Sequence, residues 1–350
     1  MALQGLVGHL QARRRIAAAL RAGRLPQVLL LVGPQGIGRQ RLGLWIAQLL
    51  LCERPADEPC GSCGPCRRVV GLVHPDLHWF VPVPRPKGDA DRQVEDVADA
   101  LAQLMEERRA AALYQPVDGM ANHGMASVRL LLRRAVLTPV QSRLKVFLIG
   151  DAERLVPQES SPEAANALLK LLEEPPLDTR FVLTATDPRR LLPTIRSRAV
   201  ALRLGRLSDA EVAQVLGRPA PEANGAPGMA VGRVLGSAAQ EAAAAFLEAV
   251  VSRPGDGLER ALSQPAFAAR GGDFTTLLDA VAETLADAAR LASGAEPRRP
   301  LPTAIGARRH DPAALVDAMQ RVAAAREAAA GNVNPQLLLA SLADDLAEAL

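Results

Sequence analysis

Four cysteines, Cys52, Cys60, Cys63 and Cys66, carry the most specific chemical signal in the chain, spaced C-x7-C-x2-C-x2-C. They are the only cysteines among 350 residues. Two tight C-x2-C steps curl the backbone so that thiolates converge on one ion, and four sulfurs in tetrahedral array make the closed site that Zn2+ accepts. With no open coordination position, one structural Zn2+ is expected. Two disulfides are the competing reading, disfavoured where a reducing cytosol keeps thiols free.

A second constellation, "LVGPQGIGRQRL" (31–42), has the outline of a phosphate-binding loop. Such a loop reads G-x-x-x-x-G-K-[ST]. Its backbone N–H groups hold phosphates at a helix N-terminus, its Lys reaches the β- and γ-phosphates, and its hydroxyl ligates Mg2+. Gly33, Gly36 and Gly38 keep the turn, but Arg39 stands in the Lys position and Gln40 in the hydroxyl position. A forked guanidinium aims differently from an ammonium. The other half of such a site is an apolar strand ending in an Asp for Mg2+. In "KVFLIGDAERL" Gly150 holds that position and Asp151 follows it. Strand side chains alternate faces, so a one-residue slip is expected to aim Asp151 away from the loop. Charged contacts of this kind contribute about 1.5–3 kcal/mol each. With the Lys, the hydroxyl and the carboxylate all missing, neither productive ATP binding nor hydrolysis is expected.

The segment "HPDLH" brings His74, Asp76 and His78 close together. Histidines at i and i+4 share a face only on a helix, and this segment leads into a strand, so it is assigned no chemistry.

These residues need a scaffold, and its pattern is legible. Short apolar runs at 28–32, 77–83, 145–149, 180–185 and 199–204 alternate with amphipathic helical stretches through the first 205 residues. Strands spaced by helices predict a doubly wound α/β base, a parallel sheet covered on both faces. The clearest helix spans 162–174, with Ser160 or Ser161 as cap, Pro162 in its first turn, and Ala165, Leu168, Leu169 and Leu172 as its buried stripe. Pro175 and Pro176 end it. Residues 84–124 break the alternation. They read as an insertion on the surface of the base, containing a helix marked by Val94, Val97, Ala98, Leu101, Leu104 and Met105.

After Leu204 the strand signal vanishes. A small helical domain is expected over 206–251 and an all-helical one over 252–350. The net charge of +3 is too small to indicate nucleic-acid binding by itself. No leader or membrane span is visible near the start, and a cytoplasmic location is expected.

Several motifs together resemble the bacterial DNA polymerase III clamp-loader subunits of the AAA+ class. The four-cysteine module after the first loop–helix unit is one of them. "LPQVLLLVGPQGIGRQ" (25–40) is similar to the family's opening, with Gln27 in place of His, and "PEAANALLKLLEEPP" (162–176) to its signature. "TATDPRRLLPTIRSRA" (184–199) resembles its sensor strand and Ser-Arg-Cys motif, with Ala199 in place of Cys, and "NVNPQLLLASLADDL" (332–346) its last helix. The resemblance implies an AAA+ base, a helical lid (206–251) and a helical collar (252–350) through which subunits assemble. It also implies that Arg198 acts as an arginine finger toward a neighbour's γ-phosphate, with Arg196 as its nearest competitor. Partners would be the gamma/tau ATPase and delta subunits and, through the complex, the sliding clamp and primer-template DNA.

Within that family ATPase subunits carry intact loops, whereas delta-prime subunits often lack nucleotide chemistry. The departures at Arg39, Gln40 and Gly150 point to the second type. A family Arg expected after Gly236-Ser237 is also missing, since Ala238, Ala239 and Gln240 follow. An active gamma/tau-like ATPase is the alternative, and a zinc module binding DNA alone is a third. An aromatic content of 3% and the lack of a concentrated basic patch disfavour the third.

Overall fold

The computed structural model describes residues 5–84, 86, 89–110, 121–155, 163–232, 237–252, 259, 272–307, 309–329 and 333–350. The chain forms two compact units that divide between Ala230 and Val231. The sequence pattern divides it instead at 205 and 251.

The first unit is an α/β fold around a five-stranded parallel sheet. The strands are β1 (Val28–Val32), β2 (Leu77–Phe80), β3 (Lys145–Ile149), β4 (Thr179–Ala185) and β5 (Val200–Arg203), in the order β2-β3-β4-β1-β5. Every residue of β1 and β3 is buried, as continuous apolar runs in a sheet covered on both faces should be. Edge strand β5 departs from that expectation, with Val200 54% exposed. Strand β2 ends at Phe80, short of the expected 83. Pro82 has no N–H to donate to a ladder, and Val83 instead bridges antiparallel to Asn122.

Helices α1 (Leu10–Arg21), α2 (Arg39–Leu51), α3 (Gly64–Val70), α4 (Ala90–Ala110), α5 (Met125–Ala135), α6 (Glu163–Glu173) and α7 (Pro193–Arg198) surround the sheet. Leu168 and Leu172 of α6 are buried as expected. Ser160, Ser161, Pro162 and the side chain of Ala165 lie outside the described residues. The helix expected within the 84–124 segment is α4, whose polar face is exposed and whose apolar face is built into the base. Val94, Val97 and Leu101 join the main core, and α4 packs against α5.

Beyond β5 the first unit holds α8 (Asp209–Leu216) and most of α9 (Pro227–Gly232). A capping box between Ser208 and Glu211 starts α8, and Gly217, at φ 70, stops it. Leu207, Val212, Ala220, Ala223 and Ala230 close a small core of their own. The second unit is all helical among its described residues: α10 (Ser237–Ser252), α11 (Gly272–Ala292), α12 (Thr303–Gly306), α13 (Pro312–Ala329) and α14 (Pro335–Ala349). Helix α10, expected in the lid, contributes Phe246, Leu247 and Val250 to this unit's core beside Leu278, Leu315 and Leu339. No helix among the described residues is long and apolar enough to cross a membrane.

Candidate functional site

The glycine loop connects β1 to α2. Gly36 (φ 79) and Gly38 (φ 95) are left-handed, which a side chain would strain. Gly33 needs to be small for another reason: a Cβ there would meet Ile37 Cδ1 and the Leu204 carbonyl at 2.7 Å. The loop is tied to its surroundings on two sides. His9 Nε2 lies 2.8 Å from the Ile37 carbonyl. The Gly228 N–H donates to the Gly36 carbonyl at 2.9 Å. The helix that reaches the loop is therefore α9, which begins at Pro227, ahead of Gly236-Ser237. Met229 and Gly228 occupy the contact, and neither is basic. The side chains of residues 236–238 lie outside the described residues.

Arg39 opens α2 and is buried. Its Nη2 donates to Asp151 Oδ1 at 3.3 Å, and Gln40 Nε2 donates to Asp151 Oδ2 at 3.1 Å. This corrects the expectation that Asp151 faces away. Strand β3 ends at Ile149, and Asp151 takes a left-handed conformation (φ 50) that turns its carboxylate back onto the loop. Strand alternation does not extend past the last paired residue. The Asp151 N–H is itself held by Thr184 Oγ1 at 3.0 Å.

The space that an Asp at position 150 would need is filled. A Cβ built on Gly150 would lie 2.7 Å from Gln40 Cδ and Nε2 and 2.8 Å from Oε1. Gln40 Oε1 in turn accepts from Arg108 Nη1 at 3.3 Å. Arg108 lies at the end of α4, buried, with its guanidinium 4.3 Å from the centre of the Trp79 ring. Position 108 has no motif to mark it. Its only signal is an Arg pair closing an amphipathic helix, and the contact with Gln40 spans 68 residues.

Glu153 lies behind this network. Its Oε1 accepts the Thr186 N–H at 2.7 Å, while its buried Oε2 has no hydrogen-bond partner, nor has Arg39 Nη1. Burial pushes the Glu153 carboxyl above its ordinary value, and the charge of Asp151 adds to the effect.

The four cysteines converge. Their sulfurs all lie within 4.8 Å of one another, with Cys60–Cys66 at 3.9 Å and Cys63–Cys52 at 4.0 Å. A tetrahedron with metal–sulfur bonds of about 2.3 Å has edges of about 3.8 Å, so the cluster could hold one metal ion. None of the four is in a disulfide. The N–H groups of Arg54 and Cys60 point at Cys52 Sγ, that of Cys63 at Cys60 Sγ and that of Cys66 at Cys63 Sγ, all at 3.4–3.5 Å. The N–H groups of Cys63 and Ser62 bring the Cys60 thiol down to about 5, whereas burial pushes Cys66 up. A bound cation would resolve that conflict by holding both as thiolates. The module is clasped to the base by Glu58, which pairs with Arg13 at 2.5 Å and accepts from Trp45 Nε1 at 2.7 Å.

The His74–Asp76 pair serves a loop. Asp76 accepts the N–H groups of Val140, Gln141 and Ser142 at 2.5–2.9 Å. Those bonds hold its carboxyl below its ordinary value against the opposing effect of burial. His78 lies on β2, 4.7 Å from the Phe147 ring.

Arg198 ends α7 far along the chain from the loop. Its Nη1 donates to the Thr194 carbonyl at 2.8 Å, and its Nη2 pairs with Glu173 at the end of α6. Arg196 is exposed. Glu173 was not singled out by the sequence pattern, although it lies inside the motif "LLEEPP".

Several known proteins resemble part of this chain. The gamma/tau subunit of DNA polymerase III from Mycobacterium tuberculosis is 31% identical over 194 residues, covering 55% of this chain and 27% of that protein. The delta' subunit from Pseudomonas aeruginosa is 36% identical over 172 residues, covering 49% and 40%. That from Escherichia coli is 30% identical over 185 residues, covering 53% and 44%. The matches thus span less than half the length of each of these relatives. A family model described as DNA polymerase III, delta subunit, matches residues 8–208, more than half of the chain, and the chain belongs to this family of clamp-loader subunits.

Proposed function

We propose that this chain is a delta-prime-type subunit of a bacterial DNA polymerase III clamp loader, with an AAA+ base that hydrolyses no ATP of its own. It helps load the sliding clamp on primed DNA in the cytoplasm, alongside gamma/tau ATPase and delta subunits. The observation that supports this reading is the filled site. Arg39 and Gln40 both donate to Asp151, and Arg108 donates to Gln40, where a nucleotide site needs a Lys, a hydroxyl and a metal carboxylate. A phosphate and its Mg2+ would have to break those contacts, with neither a Lys nor a hydroxyl to hold them in return.

One Zn2+ held by Cys52, Cys60, Cys63 and Cys66 gives the module its fold and takes no part in catalysis. Arg198 then supplies the chain's contribution to chemistry, a positive charge offered to the ATP of a neighbouring subunit. Fingers supplied in trans contribute about 10³–10⁵ in rate in GTPases.

The gamma/tau relative at 31% identity favours the alternative, an active ATPase subunit. Titrating Mg·ATP into the purified chain separates the two, and reconstitution with the loader's other subunits tests the role of Arg198. Arg198→Ala should leave the complex assembled, since a surface side chain rarely contributes more than about 0.5 kcal/mol to stability. It should lower DNA-stimulated ATPase and clamp loading, and Arg198→Lys should rescue only partly. Wild-type loading by Arg198→Ala with loss in Arg196→Ala would move the role to Arg196. No effect of either would end the trans role.

A further inference from the structure

Resting on the reading of Arg198 as a finger, we propose that Glu173 is a positioning residue that latches this arginine onto its own chain until a neighbour's phosphate competes for it. Both terminal nitrogens of the guanidinium are engaged within the chain. Nη1 donates to the Thr194 carbonyl at 2.8 Å and meets Ser197 Oγ at 3.3 Å, while Nη2 pairs with Glu173 Oε1. The fork that would grip a phosphate is the fork now turned inward.

The placement follows from how two helices end. Pro175 and Pro176 stop α6 at Glu173, α6 packs against α7, and Arg198 is the last residue of α7. The carboxylate and guanidinium thus meet at two adjacent helix termini although 25 residues separate them. The pair is open to solvent, with side chains 30% and 43% exposed for Arg198 and Glu173. Exposed pairs of this kind are weak. A phosphate carries more charge than a carboxylate and accepts an arginine fork in the same bidentate geometry. It therefore displaces Glu173 when the neighbour's site closes, whereas in the open complex the carboxylate keeps the finger docked.

The test uses the reconstituted loader carrying Glu173→Gln, Glu173→Asp, Arg198→Ala or Glu173→Gln with Arg198→Ala. ATPase is measured against ATP concentration, with and without primer-template DNA. Glu173→Gln should raise kcat without DNA by about two- to fivefold, the range set by a weak exposed pair, and leave KM for ATP unchanged. The stimulation by DNA should shrink by the same factor. Glu173→Asp, which keeps the charge, should fall between Gln and wild type. The double variant should match Arg198→Ala, because Glu173 acts only through that arginine. An unchanged or lowered rate for Glu173→Gln, while Arg198→Ala still impairs the complex, overturns the latch alone. A raised rate that persists in the double variant also overturns it. If Arg198→Ala has no effect, the finger reading fails and the latch fails with it.

Discussion

The side-chain amide of Gln40 fills the space beside Gly150: a Cβ on that glycine would lie 2.7 Å from Gln40 Cδ. Positions 40 and 150 therefore depend on each other. An acid at 150 needs a shorter residue at 40, and a glutamine at 40 needs a glycine at 150. Asp151 and Arg108 hold the amide in place from its two ends.

Gly150→Ala should cost about 1 kcal/mol, because the flexible end of Gln40 can move only by giving up a hydrogen bond. In a Gln40→Ser background the same change should cost little. A double-mutant cycle by thermal denaturation should give a coupling above about 0.5 kcal/mol. Strict additivity would show that the two side chains do not compete for one space. Regaining Mg·ATP should require Arg39→Lys, Gln40→Thr and Gly150→Asp together, with no single change measurable in a binding titration.

Glu153 predicts a pH dependence. Its carboxyl titrates near 4.5 in the unfolded chain, while burial raises it in the folded one. Between the two values the folded state keeps a proton that the unfolded state has lost. Stability contributed by this group is present below about 4.5 and is lost as pH rises through the folded value. Glu153→Gln keeps an oxygen for the Thr186 N–H and removes the charge. It should stabilise the chain at pH 7.5 by about 1 kcal/mol, with the gain shrinking toward pH 4.5. Destabilisation at pH 7.5, measured by denaturant unfolding, would mean that the ionised carboxylate has a partner.

The cysteine cluster predicts about one Zn2+ per chain in freshly prepared, reduced protein, removed by strong chelators. Cys66→Ser should lose the metal and lower stability by more than about 2 kcal/mol, several degrees in Tm. Metal analysis finding no zinc in the wild-type chain would remove this assignment. Glu58→Ala, which frees the module from Arg13 and Trp45 without touching a ligand, should leave the metal content unchanged.

Much of this is legible in the sequence. Val28–Val32 and Val146–Ile149 are continuous apolar runs, and each lies in a fully buried strand. The C-x2-C steps bring the sulfurs of Cys60, Cys63 and Cys66 together by short-range backbone geometry, and Cys52 joins them from the end of α2. What escaped depends on distant residues. The left-handed turn at Asp151 reverses a carboxylate that strand alternation would send outward. Arg108 meets Gln40 from a helix that looked like a surface insertion, because its core-facing Val94, Val97 and Leu101 gave no indication of what they pack against. The domain boundary falls near 230 because α10 finds its core among α11, α13 and α14.

The central claim, that this chain's own nucleotide site is closed by its own side chains, is tested most directly by titrating Mg·ATP into the purified chain by calorimetry. The filled site predicts no saturable heat up to millimolar nucleotide and no phosphate release on incubation. A low-micromolar Kd that disappears in Gly38→Ala or Arg39→Ala would contradict it, and would return the chain to the ATPase subunits of its family.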